Sequence, residues 1–141
     1  MFGQQIGWIN ADVVDDSEKM VYLTRMCQMR YDFKDYFNYG KMQRPPKTND
    51  YIPTFVTDSA IGFSDVNEAP LILSSCWESD DGIAMLITNC DKKECTLEYD
   101  APFDSYDEIK CYGDGNVSAV VNSKIKITIS PESAIAIVKK K

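Results

Sequence analysis

The chain has 141 residues, 44% of them hydrophobic and 26% charged, with 15 Lys+Arg against 22 Asp+Glu for a net charge of -7. These values exclude collagen-like, mucin-like and disordered classes, fit one domain around a single core, and set a field that repels a nucleic-acid backbone. No apolar run approaches the ~20 residues of a membrane helix and Met1-Phe2-Gly3-Gln4-Gln5 has no basic lead-in for secretion, so a cytoplasmic protein without nucleic-acid or membrane partners is expected.

Residues 1–14 include Gly3, Gly7, Trp8 and Ile9 without periodicity, and read as an extended lead-in whose Trp8 packs near the helix that follows. Asp15 offers an N-cap with Glu18 three residues on, a capping-box spacing. Glu18 to Tyr39 contains neither Gly nor Pro, Gly40 stands where a left-handed C-cap fits, and Pro45-Pro46 bars continuation. The spacing thus predicts one long N-terminal α-helix over Asp16–Tyr39, ~33 Å at the usual rise. Tyr22, Leu23, Met26, Met29, Phe33, Tyr36 and Phe37 form a broad apolar stripe on it. Met20, Cys27 and Tyr31 fall on nearly the opposite side. They read either as tolerated exposed apolars or as an interface with a neighbouring domain or a second copy of the chain.

Residues 41–50 (Lys-Met-Gln-Arg-Pro-Pro-Lys-Thr-Asn-Asp) are polar and proline-stiffened, a linker between a helical part, residues 1–40, and a β part, residues 51–141. Beyond it the apolar period changes to two. Strands are expected over Tyr51–Thr57, Leu71–Trp77, Ile83–Asn89, Cys95–Tyr99, Glu108–Tyr112, Val117–Val121, Ile125–Ser130 and Ala134–Val138. Asp81-Gly82, Asp91-Lys92-Lys93, Gly113-Asp114-Gly115-Asn116, Asn122-Ser123 and Pro131-Glu132-Ser133 supply turn chemistry between them. With no helical stretch between strands, βαβ units are excluded. The expected fold is mainly β: an antiparallel β-sandwich of about eight strands with one long N-terminal helix.

Reactive chemistry is sparse. The absence of histidine removes Ser-His-Asp and Cys-His catalysis from this chain, and no cofactor or metal is called for. Cys27, Cys76, Cys90, Cys95 and Cys111 are odd in number and lack C-x-x-C spacing, which reads as reduced, mostly buried thiols. Glu78, Asp80 and Asp81 after Trp77 read as a solvated hairpin turn or as a carboxylate pair beside a sugar platform. Asp104, Asp107, Glu108 and Asp114 are acidic loop residues without the spacing of a calcium loop. Trp77, Tyr106 and Tyr112, with Tyr99 and Phe103, are either core aromatics or rings offered to a carbohydrate.

The run Tyr31-Asp32-Phe33-Lys34-Asp35-Tyr36-Phe37-Asn38-Tyr39-Gly40-Lys41-Met42-Gln43-Arg44-Pro45-Pro46, followed by Ile52-Pro53-Thr54-Phe55, resembles a bacterial family of glycoside-hydrolase-like proteins in which a (β/α)8 barrel precedes a C-terminal β-sandwich. Leu73-Ser74-Ser75-Cys76-Trp77 with Gly82–Asn89 looks like the first hairpin of that sandwich, and Pro131-Glu132-Ser133-Ala134 like the start of its closing strand. The resemblance implies the last barrel helix plus the appended sandwich, without the barrel loops that carry catalysis. No catalytic residue is carried over. It implies a non-catalytic, structural or substrate-positioning role, with a barrel domain as the partner of Met20, Cys27 and Tyr31. Two alternatives stay open: a carbohydrate-binding module using Trp77, Tyr106 or Tyr112, and a homo-oligomeric protein using the helix.

Overall fold

The computed structural model describes residues 17–56 and 68–141; the lead-in with Trp8 and the cap at Asp15 lie outside them. The helical stretch forms two segments, α1 (Ser17–Asp32) and α2 (Lys34–Tyr39), and not one long rod. They are followed by β1 (Lys41–Gln43), β2 (Thr54–Val56), β3 (Glu68–Pro70), β4 (Ile72–Ser79), β5 (Gly82–Asn89), β6 (Cys95–Asp100), β7 (Glu108–Tyr112), β8 (Gly115–Val117), β9 (Lys124–Ile129) and β10 (Ser133–Lys140). All strand pairings are antiparallel. They build a five-stranded sheet in the order β1-β4-β5-β10-β7, a three-stranded sheet β6-β9-β8 and a two-stranded pair β2-β3.

Side-chain parity in β5 and β10 explains the layering. Met85, Ile87, Ile135 and Ile137 point to one face and meet Leu97 and Tyr99 of β6 and Ile125, Ile127 and Ile129 of β9. The intervening Ala84, Leu86, Ala134, Ala136 and Val138 point to the other face and meet Met29, Phe33 and Tyr36 of the helices. Both strands are therefore buried on both faces, which demands apolar residues at consecutive positions rather than alternation. Three alanines on the helix side leave room for the bulky helical aromatics, so large and small residues interdigitate.

The break between α1 and α2 falls at Phe33, where φ is -105° and ψ is 20°. The chain bends without losing its ladder: Phe33 N–H still reaches Met29 O at 3.0 Å, and Phe37 N–H reaches Phe33 O at 3.1 Å. The bend lets α1 lie on β10 and β7 and α2 on β4 and β1, following the twist of the sheet beneath. No Gly or Pro marks the site; burial of the Phe33 ring fixes it. Gly40 is also used differently from the expected left-handed cap. Its φ of -77° and ψ of 165° are extended, while its N–H bonds Asp35 O and Tyr36 O. A Cβ there would collide with Tyr36 O and lie 2.8 Å from Glu78 O. Close backbone approach, not handedness, requires the glycine.

Seven of the eight expected strands are represented, most with shifted ends; the eighth, Val117–Val121, is not, since β8 covers Gly115–Val117, inside the expected Gly113–Asn116 turn but for Val117, and β1 and β3 are additional. The stretch read as a linker holds β1, which pairs Lys41 with Glu78 and Met42 with Trp77 at the sheet edge. It then crosses to the other sheet, where Lys47 O accepts from Asp100 N–H at 2.7 Å and Asp50 Oδ2 accepts from Glu98 N–H at 2.6 Å. The β4–β5 turn is Asp80-Asp81, one residue earlier than expected, because Ser79 pairs with Gly82. Gly82 takes φ 148° as the first residue of β5, against Lys139 O. Asn122 and Ser123 both have φ near +55° (51° and 58°), the conformation a two-residue turn between Val121 and Lys124 needs.

Asn89, 0% exposed, closes the end of the two-layer core. Its Nδ2 donates to Lys93 O at 2.8 Å and to Ile129 O and Ser130 O at 3.1 Å, while its Oδ1 accepts from Asp91 N–H at 2.8 Å. This one side chain ties β5 to the end of β9 in the opposite sheet. Tyr99 is the contrast: it is 1% exposed and its hydroxyl has no hydrogen-bond partner. Asn89→Ala is expected to lower unfolding stability by about 2–3 kcal/mol, because it strands several buried backbone groups. Tyr99→Phe is expected to be neutral or to stabilise by about 1 kcal/mol. Denaturant midpoints of the two variants check both signs.

Candidate functional site

The aromatics read as carbohydrate contacts do not share a surface. Trp77 and Tyr112 lie opposite Ala84 and Ala134 on the helix face of the five-stranded sheet, so the helical layer covers them. Trp77 meets Phe37 edge-on, with ring centroids 5.2 Å apart, and its Nε1 donates to Ser75 Oγ at 3.2 Å. Tyr112 is 6% exposed. Tyr106 packs instead against the core between the sheets and donates to Ser118 O at 3.3 Å. Trp77 and Tyr112 thus share the helix-covered face, while Tyr106, in the loop before β7, belongs to the other core layer.

Tyr112 belongs to a polar network that spacing alone did not reveal. Its hydroxyl donates to Asp32 Oδ2 at 2.8 Å, Gln28 Nε2 donates to Asp32 Oδ1 at 2.8 Å, and Lys110 Nζ pairs with Asp32 Oδ2. Lys110 also lies 5.7 Å from the centroid of the Tyr112 ring. The last residue of α1 is thereby clamped to β7. The Lys110 hydrogen bond holds the Asp32 carboxyl below its usual 3.8, with Tyr112 and Gln28 adding to it against a smaller effect of burial. Burial, reinforced by the Asp32 carboxylate, pushes the Tyr112 phenol up. Only the Gln28-to-Asp32 spacing of four residues carried a sequence signal.

Two clefts flank the Asp80-Asp81 turn. One, of about 510 Å³, has Phe33, Tyr36 and Val138 among its apolar residues and Asp80, Asp81 and Lys140 among its charged ones. The other, of about 640 Å³, includes Asp35, Tyr39, Lys41, Glu78 and Lys141. Of these charges Glu78, Lys140 and Lys141 are matched. Glu78 accepts from Gln43 Nε2 at 2.9 Å and pairs with Lys141 at 3.5 Å, and Glu108 pairs with Lys140 at 3.0 Å. Asp107 accepts from Lys140 N–H at 2.8 Å and pairs with Lys139 at 3.2 Å, an arrangement that lowers its pKa. A glycosidase acid needs the opposite shift, a carboxyl raised towards neutrality. Asp32 and Asp107 are both drawn down, in the manner of structural ion pairs.

Among the described residues no group of three or more His, Cys, Asp or Glu is placed to hold a metal ion, Asp104, Asp107, Glu108 and Asp114 included. The five cysteines are unpaired, but they are not mostly buried as expected: only Cys76 is buried, Cys27, Cys90 and Cys95 are half-buried and Cys111 is exposed. Burial raises the thiols of Cys76 and Cys95, which keeps them protonated and weakly nucleophilic. Among the described residues no helix is long and apolar enough to cross a membrane.

The residues opposite the main stripe of the helix have mixed placements. Met20 and Cys27 are half-buried, and Tyr31 is 67% exposed. Cys27 and Tyr31 line a shallow hollow of about 330 Å³ with Arg30, Lys34, Phe37 and Asn38. Arg30 lies over the Phe37 ring at 5.9 Å from its centroid, and Lys34 over the Tyr31 ring at 5.0 Å. Compared with protein-family models, curated proteins and solved structures, the chain matches none of them.

Because the folded-state pKa of Asp32 lies below its unfolded value of about 3.9, its stabilisation is complete above that value and fades as pH falls through the folded one. Asp32→Asn is expected to lose about 1 kcal/mol at neutral pH, the scale of a partly exposed, hydrogen-bonded ion pair. Thermal unfolding of both proteins should show the gap shrinking below about pH 4.

Proposed function

We propose that the chain is a non-catalytic β-sandwich module related to the C-terminal domains of glycoside-hydrolase-like proteins, with a structural or positioning role in which the helical layer meets a neighbouring domain. One observation carries the reading. The inner stripe of the helices is spent on the central sheet, whereas the outer side keeps an exposed ring at Tyr31 beside Cys27 and two cations. A helix serving only its own sheet has no need of that second apolar set. The ion pairs of Glu78 with Lys141 and of Glu108 with Lys140, and the lowered pKa values of Asp32 and Asp107, support a non-catalytic role. Five unpaired thiols fit a reducing compartment. The carbohydrate-binding alternative has less support, because Trp77 and Tyr112 act as core residues.

Purified chain is expected to release no product from a panel of aryl glycosides; turnover abolished by Glu78→Gln or Asp80→Asn overturns the reading. Trp77→Ala is expected to cost about 2–4 kcal/mol of stability by opening a cavity against Phe37. Calorimetric titration with soluble glycans separates the alternatives: saturable binding lost in a folded Trp77→Phe variant favours the carbohydrate module.

A further inference from the structure

Ion pairing is uneven over the described residues. Lys92, Lys110, Lys124, Lys139, Lys140 and Lys141, all beyond β5, are held by carboxylates. Arg30, Lys34, Lys41, Arg44 and Lys47 form no ion pair among the described residues. Over that stretch the only acids are Asp32 and Asp35, and Asp32 is engaged by Lys110. In a chain of net charge -7 the hollow between α1 and α2 is locally reversed in sign, lined by two cations, Arg30 and Lys34, and by no acid.

The cations there are also preorganised. Arg30 and Lys34 stand one helical turn apart over aromatic faces, at the rim of the hollow that Tyr31 and Asn38 share. Stacking restrains the long side chains while their N–H donors stay available to an anion. Exposed apolar side chains occur on these elements: Tyr31 is 67% exposed, and Met42, on the edge strand that α2 contacts, is 61% exposed. Tyr, Arg and Met are the residue types enriched where proteins meet.

Resting on the module reading above, we infer that this hollow is a docking surface for an acidic segment of a partner protein, whose carboxylates engage Arg30 and Lys34 while an apolar side chain covers Tyr31. A protein segment suits the site better than a polyanion. A few carboxylates fit a pair of cations, whereas the net charge of the whole molecule opposes the dense phosphates of a nucleic acid or an anionic bilayer.

The test titrates the full chain with a short labelled peptide of Glu, Leu and Tyr and with its Gln counterpart. The Glu peptide is expected to bind at least about tenfold more tightly, and its affinity to fall several-fold as salt rises from about 50 to 200 mM. Arg30→Glu with Lys34→Glu is expected to cost about tenfold or more in affinity, and Tyr31→Ala about fivefold. Lys93→Glu with Lys126→Glu changes the net charge equally at two other exposed, unpaired lysines and is expected to stay within about twofold. Circular dichroism verifies that each variant is folded, and the Gln peptide and salt series probe the unaltered chain. No preference for Glu, equal losses in the two double variants, or tighter binding to duplex DNA or phosphatidylserine vesicles overturns the inference. Turnover of aryl glycosides would instead overturn the module reading and leave the peptide result intact, so the two failures are separable.

Discussion

Strands β5 and β10 bury both of their faces, and a sheet with no wet side needs two covers. The three-stranded sheet supplies one through Ile125, Ile127 and Ile129; the helices supply the other through Met29, Phe33 and Tyr36. The bend at Phe33, the alanines at positions 84, 134 and 136 and the clamp on Asp32 all serve the second cover. Each buried Ile or Leu in such a sheet stabilises it by about 1.5–3 kcal/mol. The sheet–helix contact is therefore a principal source of stability, and the outer surface of the helices is left available for other purposes.

Much of this was legible in the residue order. The period-two alternation of Lys124–Ile129 and the paired positive-φ residues at Asn122-Ser123 behave as their local chemistry dictates. The apolar run in Ser133–Lys140 signals burial, yet periodicity cannot say that its two faces meet different layers. The break at Phe33 was invisible for a related reason. A helix bends there to follow a twisted sheet, and the twist is a property of strands that pair far along the chain. β1 and β3 escaped notice because three-residue edge strands, one ending in Pro70, take their order from a neighbour rather than from propensity.

The candidate site was less legible. Trp77 and Tyr112 are suitable rings for a sugar by residue type, but their facing is set by register with Ala84 and Ala134, which no spacing rule supplies. Tyr31 and Cys27 could be assigned to an outer helical side because a helix carries its own angular coordinate. The division between matched and unmatched cations was hidden, since Lys110 and Asp32 are distant in sequence and meet only through the fold.

The position of β10 has a consequence for biosynthesis. It follows every other described strand in the chain, yet it sits inside the five-stranded sheet between β5 and β7. As the polypeptide leaves the ribosome, β4 and β5 can close as a local hairpin, but β5 and β7 keep bare hydrogen-bonding edges until the β10 segment emerges. During that interval the nascent chain is at its most vulnerable to pairing with a neighbour's strand, so its safe maturation depends on how quickly this segment is released from the exit tunnel.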